Sequence, residues 1–510
     1  MIHLETEYAF PFYLPEMQSS LETLRSYSRE LYALRSASGL LAWDQETKMP
    51  PKGGKARAEG QAALGVVFHQ RLTSDKFKGL LDQAASQSGL TERESAMVRE
   101  LTRDAEKARK IPEDLAEELA RTASLSQQAW AKAREADKPE DFLPWLKKMI
   151  ALKRRESECL GYPEHPYDAM LDNFEPGAKL SVVKPVLEKL SEGLVPLLAK
   201  ILSKRGENPQ PSWKGRKFPL DAQRLFNNRL LRDMGFDLDA GRLDESAHPF
   251  TEGLCPGDVR LTTRYREEDW LTSVYSTLHE GGHGLYEQGL PETEWGNPLG
   301  EAVSLSVHES QSRFWENVVG RSRAYWERTL PVAKEHFGAA LDGTGVDEVL
   351  AQVNAVKPSL IRVEADEATY NLHVLLRFRL EEALFSGTLE PEGIADAWNA
   401  EMQKLFGLTP TSAAVGFMQD VHWSCGLYGY FATYSLGNLY SAQLANAMTR
   451  DLGDLNVKIR GGEFLPMREW LREKIHRHGR QFPGPELLRR ATGEELKPEY
   501  FIRYLEGKYL

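Results

Sequence analysis

The sequence predicts an all-α, mainly helical protein with one small β-hairpin or sheet near its functional site. Along most of the chain, apolar residues recur at spacings of three and four with Leu, Ala, Glu, Lys and Arg between them. Only residues 247–265 alternate in the manner of a strand. No fixed-period repeat is visible, which disfavours a solenoid.

The elements follow in chain order. From Leu21 to Leu41 the spacing predicts a helix with Leu24, Tyr27, Leu31 and Leu34 on one stripe, broken by a Pro and Gly loop from Trp43 to Gly54. In that loop Asp44 and Glu46 are either lid residues or solvated acids. Amphipathic helices are predicted over about 75–135, 141–157, 182–204 and 219–234. The breaker-rich run Arg205 to Pro219 reads as a loop or a boundary. DLDAGRLDE, starting at Asp237, resembles a calcium loop, but Gly241 is fifth rather than sixth and His248 stands where the twelfth-position Glu belongs, so a solvated turn is expected. HPFTEGLCPGD is turn-rich, VRLTTRY is strand-like, and helical patterning resumes at Glu267 and continues almost to Leu510.

Length and composition narrow the class. A chain of 510 residues is long enough for about three domain-sized units, and 41% hydrophobic with 27% charged residues describes a globular protein. No run of 18 apolar residues suggests a membrane span. The start, MIHLETEYAFPFYLPEM, carries acids and prolines where a secretory signal would carry a basic and then an apolar region, so a cytoplasmic location is expected. Cys159, Cys255 and Cys425 lie too far apart for a disulfide framework or a metal clip. A formal charge of −11 opposes binding to nucleic acid or an anionic membrane. The basic run REKIHRHGR near Arg472 is read as a solvated helix end.

The informative tract is EEDWLTSVYSTLHEGGHGLYEQGL, in which His279, Glu280 and His283 form H-E-x-x-H. Residues four apart stand one turn above each other on a helix, so both imidazoles can face one ion with Glu280 beside it. Gly281, Gly282 and Gly284 each cost about 0.8–1 kcal/mol relative to Ala in a helix interior. Either a substrate backbone passing close to the metal or a tightly packed neighbouring helix would require them. The third ligand is expected on the next helix. Glu309, 26 positions after His283, suits a two-His, one-Glu zinc site; His308 is the competitor, turned about 100° away. Such a site hydrolyses amides, with Glu280 as general base.

Several ordered motifs, WDQETKMP at Trp43, HPF at His248, DVRLT at Asp258, HEGGH at His279, HESQ at His308, IRVEAD at Ile361, GFMQDVHW at Gly416 and GYFATYSLGN at Gly429, resemble those of the carboxypeptidase Taq family of metal-dependent carboxypeptidases. The ending, ATGEELKPEYFIRYLEGKYL, resembles that family too. Ala432 departs from the pattern, where proline is expected; the change concerns loop stiffness more than chemistry. The resemblance implies a neurolysin-like and angiotensin-converting-enzyme-like zinc peptidase fold with a deep groove. It implies a homodimer that removes single residues from the C termini of short peptides with broad specificity. His279, His283 and Glu309 carry over as metal ligands and Glu280 as general base, with one zinc ion per chain for which cobalt or manganese can substitute. Residues 1–15 read as an extension and 16–510 as one catalytic unit, with an N-terminal helical half and groove wall at 16–218 and the metal-binding helices with the C-terminal half at 219–510.

An exopeptidase must grip the terminal carboxylate, for which the arginine fork is suited. Arg260, Arg264 and Arg362 are the candidates. The resemblance favours Arg362 for the carboxylate and Arg260 for the groove; alternatively Arg362 pairs with Asp366 one helical turn away. The oxyanion needs a donor, and among His422, Tyr428, Tyr430 and Tyr434 the resemblance selects Tyr434, with His248 or His422 assisting. Asp420 is expected either to orient a neighbouring histidine or to start a helix. Two other functions compete: an oligopeptidase that cuts internal bonds, and a helical scaffold whose H-E-x-x-H is accidental.

Overall fold

The structure is a computed structural model that describes residues 20–204 and 210–510. The predicted extension at 1–15 and the first residues of the run from Arg205 lie outside the described residues.

The first helix, Ser20–Thr47, buries Leu24, Tyr27 and Leu31 as the stripe predicts. It runs past the predicted break, because no proline follows until Pro50, and Trp43 is a buried helical residue under the guanidinium groups of Arg260 and Arg242. Of the two early acids, Asp44 accepts from Arg57 at 2.5 Å and Glu46 is exposed. The following helix, Gly54–Leu72, was not predicted. None of its residues is buried, so it has no apolar stripe to read.

The tract from 75 to 135 divides into Asp75–Ala85, Glu92–Lys110 and Glu113–Ala136. Local chemistry sets the starts. Ser74 accepts from the Phe77 amide, and Thr91 with Glu94 forms a reciprocal cap. Pro139–Leu160, Leu180–Lys204 and Leu220–Met234 match the other predicted helices within a few residues.

The predicted hairpin is present as β2, Thr251–Cys255, and β3, Asp258–Thr263, paired antiparallel around Pro256 and Gly257. Gly257 has φ +82°, the value that the third position of a proline-led turn requires. The stretch after Asp237 is more than a solvated turn. Gly241–Glu245 forms β1, parallel to β3 with Gly241 opposite Val259. Only Asp244 of β1 is buried, so backbone pairing with a remote strand, not its own pattern, makes it a strand.

Three cores hold the helices together. One packs Pro139–Leu160, Pro166–Asp172 and Leu180–Lys204 against Tyr370–Ser386, Ile394–Phe406 and Glu499–Tyr509. The second gathers Leu220–Met234, the sheet, Trp270–Gly289 and most later helices. The third joins the helices between residues 20 and 110 to Leu299. The boundary expected at 218/219 therefore separates chain segments and not cores, since the first core draws on both sides of it.

Helix Phe431–Leu452 is the seam: Phe431, Leu436 and Leu439 enter the first core, and Leu444, Ala447 and Met448 the second. Ala432 lies in its first turn, so the departure from proline affects a helix start and not a loop. The basic run near Arg472 is also more than a solvated end. His476 is 1% exposed, and Arg480 ties Asp104 and Glu100 at 2.8 and 2.9 Å, joining the N-terminal helices to the second core. Among the described residues no helix is long and apolar enough to cross a membrane.

Candidate metal centre

His279, Glu280 and His283 lie in the middle of helix Trp270–Gly289, whose N-cap Asp269 accepts from the Thr272 amide at 3.2 Å. The three glycines serve packing. A Cβ on Gly281 would meet Leu231 and Met234 at 2.9 Å, and one on Gly284 would meet Leu261 and Phe236 at 2.7 Å. A Cβ on Gly282 would lie 2.6 Å from the Gln311 carbonyl oxygen and the Ser312 Cα, in the backbone of helix Leu305–Arg313. The alternative in which substrate backbone requires these glycines is thus replaced by close approach of protein elements. On its other side the same helix meets Gly437, where a Cβ would lie 2.6 Å from the Cβ of Glu309. Glycines on two flanking helices therefore let the Glu309 helix sit close to both histidines.

The sequence-predicted ligands come together. Glu309 Oε2 lies 3.9 Å from His279 Nε2 and 3.6 Å from His283 Nε2. Two donors bound tetrahedrally at zinc distances are about 3.4 Å apart, so this set fits a divalent ion. Among the described residues it is the group of three His, Cys, Asp or Glu side chains whose donor atoms converge closely enough to hold one. The free oxygen of Glu309 is fixed by Arg313 Nε at 2.6 Å. His308, the competing ligand, turns away and places its Nδ1 2.6 Å from His283 Nδ1.

Charge favours a cation here. Burial, then His308 and His279, holds His283 well below the ordinary imidazole pKa, so it is neutral as a ligand must be. Burial would also lower His279, but Glu309 and the Glu316 carboxylate, 2.8 Å from its Nδ1, raise it. Burial, opposed by His279 and the Thr251 hydroxyl, raises Glu280. Thr251 opens β2 and donates to Glu280 Oε2 at 2.7 Å, which puts the sheet beside the cluster as expected.

Sequence reasoning missed Glu316, Arg313 and Thr251. The first two had a signal: they stand seven and four positions after Glu309, on one helical face. Glu316 lies in a π-helical turn, Phe314–Val319, that continues the Glu309 helix. Thr251 had none, because its partner is 29 residues away on another element.

Beside the cluster stands a second one. Arg362 donates from Nε and Nη2 to Asp420 Oδ1 at 3.0 and 2.8 Å, and from Nη1 to the Tyr370 hydroxyl at 2.9 Å. Arg377, missed from sequence, holds Asp420 Oδ2 from Nε at 2.7 Å and is fully buried. Asp420 therefore orients two arginines instead of a histidine, and it does not start a helix. Burial raises its pKa, but Arg377 and Arg362 together hold it well below the usual range. Arg362 does not pair with Asp366, which accepts from the Ala368 and Thr369 amides at 2.9 and 3.0 Å.

The two clusters meet at Tyr434. Its ring lies 5.3 Å from the Arg362 guanidinium and 5.3 Å from the Tyr430 ring, and burial, then Tyr370 and Tyr430, raises its pKa well above the ordinary value. Glu309 raises both tyrosines further. His422 packs on Phe431 at 4.5 Å, and burial, then Arg362, lowers its pKa to about 4. Tyr428 is buried in the first core.

Three candidates stand apart from these clusters. Arg260 clamps Asp258 with two bonds of 2.8 Å and stacks on Trp43; it projects from the sheet face opposite Val259 and Leu261, which face the metal-ligand helix. Arg264 donates to the Ala247 carbonyl at 3.3 Å. His248 is exposed between β1 and β2.

A family model described as the carboxypeptidase Taq (M32) metallopeptidase matches residues 23–509. Thermostable carboxypeptidase 1 of Thermus thermophilus is 45% identical over 505 residues, 96% of this chain and 98% of that one. The protein of the same name from Pyrococcus furiosus is 41% identical over 94% of this chain and 97% of its own. Among solved structures, the Pyrococcus furiosus carboxypeptidase aligns with a TM-score of 0.94 at 39% identity, covering 97% of this chain and 100% of that one. The M32 carboxypeptidase of Deinococcus radiodurans aligns with a TM-score of 0.94 at 38% identity, covering 96% and 99%.

Proposed function

The chain belongs to the carboxypeptidase Taq (M32) family and is a metal-dependent carboxypeptidase, and we propose that it removes single residues from the C termini of short peptides with broad specificity, at a zinc site formed by His279, His283 and Glu309. The observation that carries this reading is the pairing of an acid-rich donor cluster with a buried arginine cluster that has one carboxylate for two guanidinium groups. The first suits a cation; the second suits the anionic end of a peptide.

His279, His283 and Glu309 would hold the zinc ion, which would supply Lewis-acid polarisation of the scissile carbonyl and a better nucleophile from water at neutral pH. Glu280, steered by the Thr251 hydroxyl, takes a proton from the attacking water and passes it to the leaving amine. Tyr434 keeps its hydroxyl proton and donates to the developing oxyanion, with neutral His422 in the same aromatic group. Arg362, held by Asp420 and Tyr370, receives the terminal carboxylate. Arg260 is assigned to the groove wall, and His248 assists only if substrate draws its exposed ring inward. Cobalt or manganese substitutes for zinc, the enzyme works as a homodimer, and it resides in the cytoplasm.

The test compares an N-blocked dipeptide with its C-amidated twin before chelation, after it, and after zinc or cobalt is returned. Metal-restored release from the free acid alone is the expected result. Equal cleavage of the amide would replace the exopeptidase by an oligopeptidase, and inertness of the zinc-loaded protein on both would overturn the reading.

A further inference from the structure

A metal-ligating imidazole is neutral, with a lone pair on one nitrogen and a proton on the other. In His283 the nitrogen that faces Glu309 is Nε2, so Nδ1 carries the proton. That Nδ1 lies 2.6 Å from His308 Nδ1, which must then accept. The proton of His308 is left on Nε2, 2.7 Å from Glu287 Oε1, and a carboxylate accepts it. Each tautomer in this chain of three side chains follows from the one before.

The fold builds the chain deliberately. Glu287 stands one helical turn after His283 on the same helix, and His308 precedes Glu309 on the next. The Tyr286 ring packs against His308 at 5.0 Å. Opposite Glu287 the strand β2 carries Gly253, where a Cβ would lie 2.7 Å from the Glu287 Cδ and push the carboxylate away. Glu287 borders a cavity of about 570 Å³, lined also by Glu252, Arg472 and His476. His279 has a direct carboxylate, Glu316; His283 has its carboxylate at one remove.

We propose that His308 and Glu287 are positioning residues for the metal: together they lock His283 in the tautomer and orientation that present Nε2, and they strengthen it as a donor. This rests on the reading of His283 as a metal ligand. Residues that hold a ligating histidine in this way typically change metal affinity about 10–100-fold when removed.

The test measures zinc affinity of the full chain by competition with a chromogenic chelator, alongside the cobalt absorption spectrum and the thermal midpoint of the metal-free protein. Glu287→Ala and His308→Phe should each weaken zinc about 10–100-fold and alter the cobalt bands. Glu287→Gln, which keeps an acceptor at the same place, should fall between them and wild type. Because the two act in series, the double variant should bind little worse than the weaker single one. Wild-type affinity in the Glu287→Ala and His308→Phe variants would overturn the inference, as would losses that add fully or that follow an equal loss of stability in the metal-free protein. A wild type that takes up no zinc would instead overturn the metal-site reading beneath it.

Discussion

Two buried charge clusters share one wall of this enzyme and are built on opposite plans. Around the histidines, Glu280, Glu309 and Glu316 outnumber Arg313 and Arg321, and two of the three carboxylates are bound to arginine. Around Asp420, Arg362 and Arg377 outnumber the single carboxylate. Burying an uncompensated charge is expensive, so each surplus marks a place where the protein waits for a partner of opposite sign. The acid-rich cluster suits a metal ion and the arginine-rich one a peptide carboxylate. Tyr434 lies beside the arginine cluster, one helical turn before the Gly437 that packs on Glu309.

Substitutions can break this comparison, and the largest effect is expected from Glu280→Gln. It should lower kcat by about 10²–10⁴-fold in steady-state assays while leaving zinc content at one per chain. Asp420→Asn comes next, since it strands two buried guanidinium groups and should cost about 3–5 kcal/mol of stability, read as a fall in the thermal midpoint. The sign with pH follows from linkage. The folded pKa of Asp420 is depressed, because Arg377 and Arg362 outweigh burial, so its contribution is complete above the unfolded value of about 3.9 and is lost as pH falls through the folded value. The gap in midpoint between wild type and Asp420→Asn should stay constant from pH 8 to about pH 5 and narrow only below about pH 4.

Arg362→Met sharpens the comparison from the substrate side. Loss of charge-assisted bonds worth about 1.5–3 kcal/mol should lower kcat/KM on the free-acid dipeptide about 10–100-fold, mainly through KM, and leave zinc affinity unchanged. The smallest effect is expected from Gly282→Ala, where the added methyl presses on the Glu309 helix backbone. It should destabilise by about 1–3 kcal/mol and weaken zinc, measured by thermal unfolding and chelator competition. Undiminished zinc binding there would mean that the close approach of the two helices does not set the ligand geometry.

The two clusters also differed in how far they could be read from sequence. His279, His283 and Glu309 are legible as candidate ligands because two share a helix at a fixed spacing and the third lies within the next helical run. Arg362 was named, but its partners were not, because Asp420 is 58 residues away and Arg377 lies on a helix between them. The three glycines are conspicuous in sequence but leave two causes open, and the packing of neighbouring elements decides between them. Trp43 and His476 read as loop and solvated end in sequence, since neither segment shows periodicity; each is buried by a distant element.

The amino-acid order by itself determined the helical class, the hairpin, the H-E-x-x-H helix and the three donors of the candidate metal site, because helix geometry converts spacing along the chain into position on one face. Tertiary structure alone decided the pairing of β1 with β3, the division into three cores across the 218/219 boundary, the two-arginine grip on Asp420 and the turn of His308 away from the donor set onto His283 Nδ1. Those contacts join residues far apart in sequence, and no local propensity specifies which distant backbone or side chain will complete them.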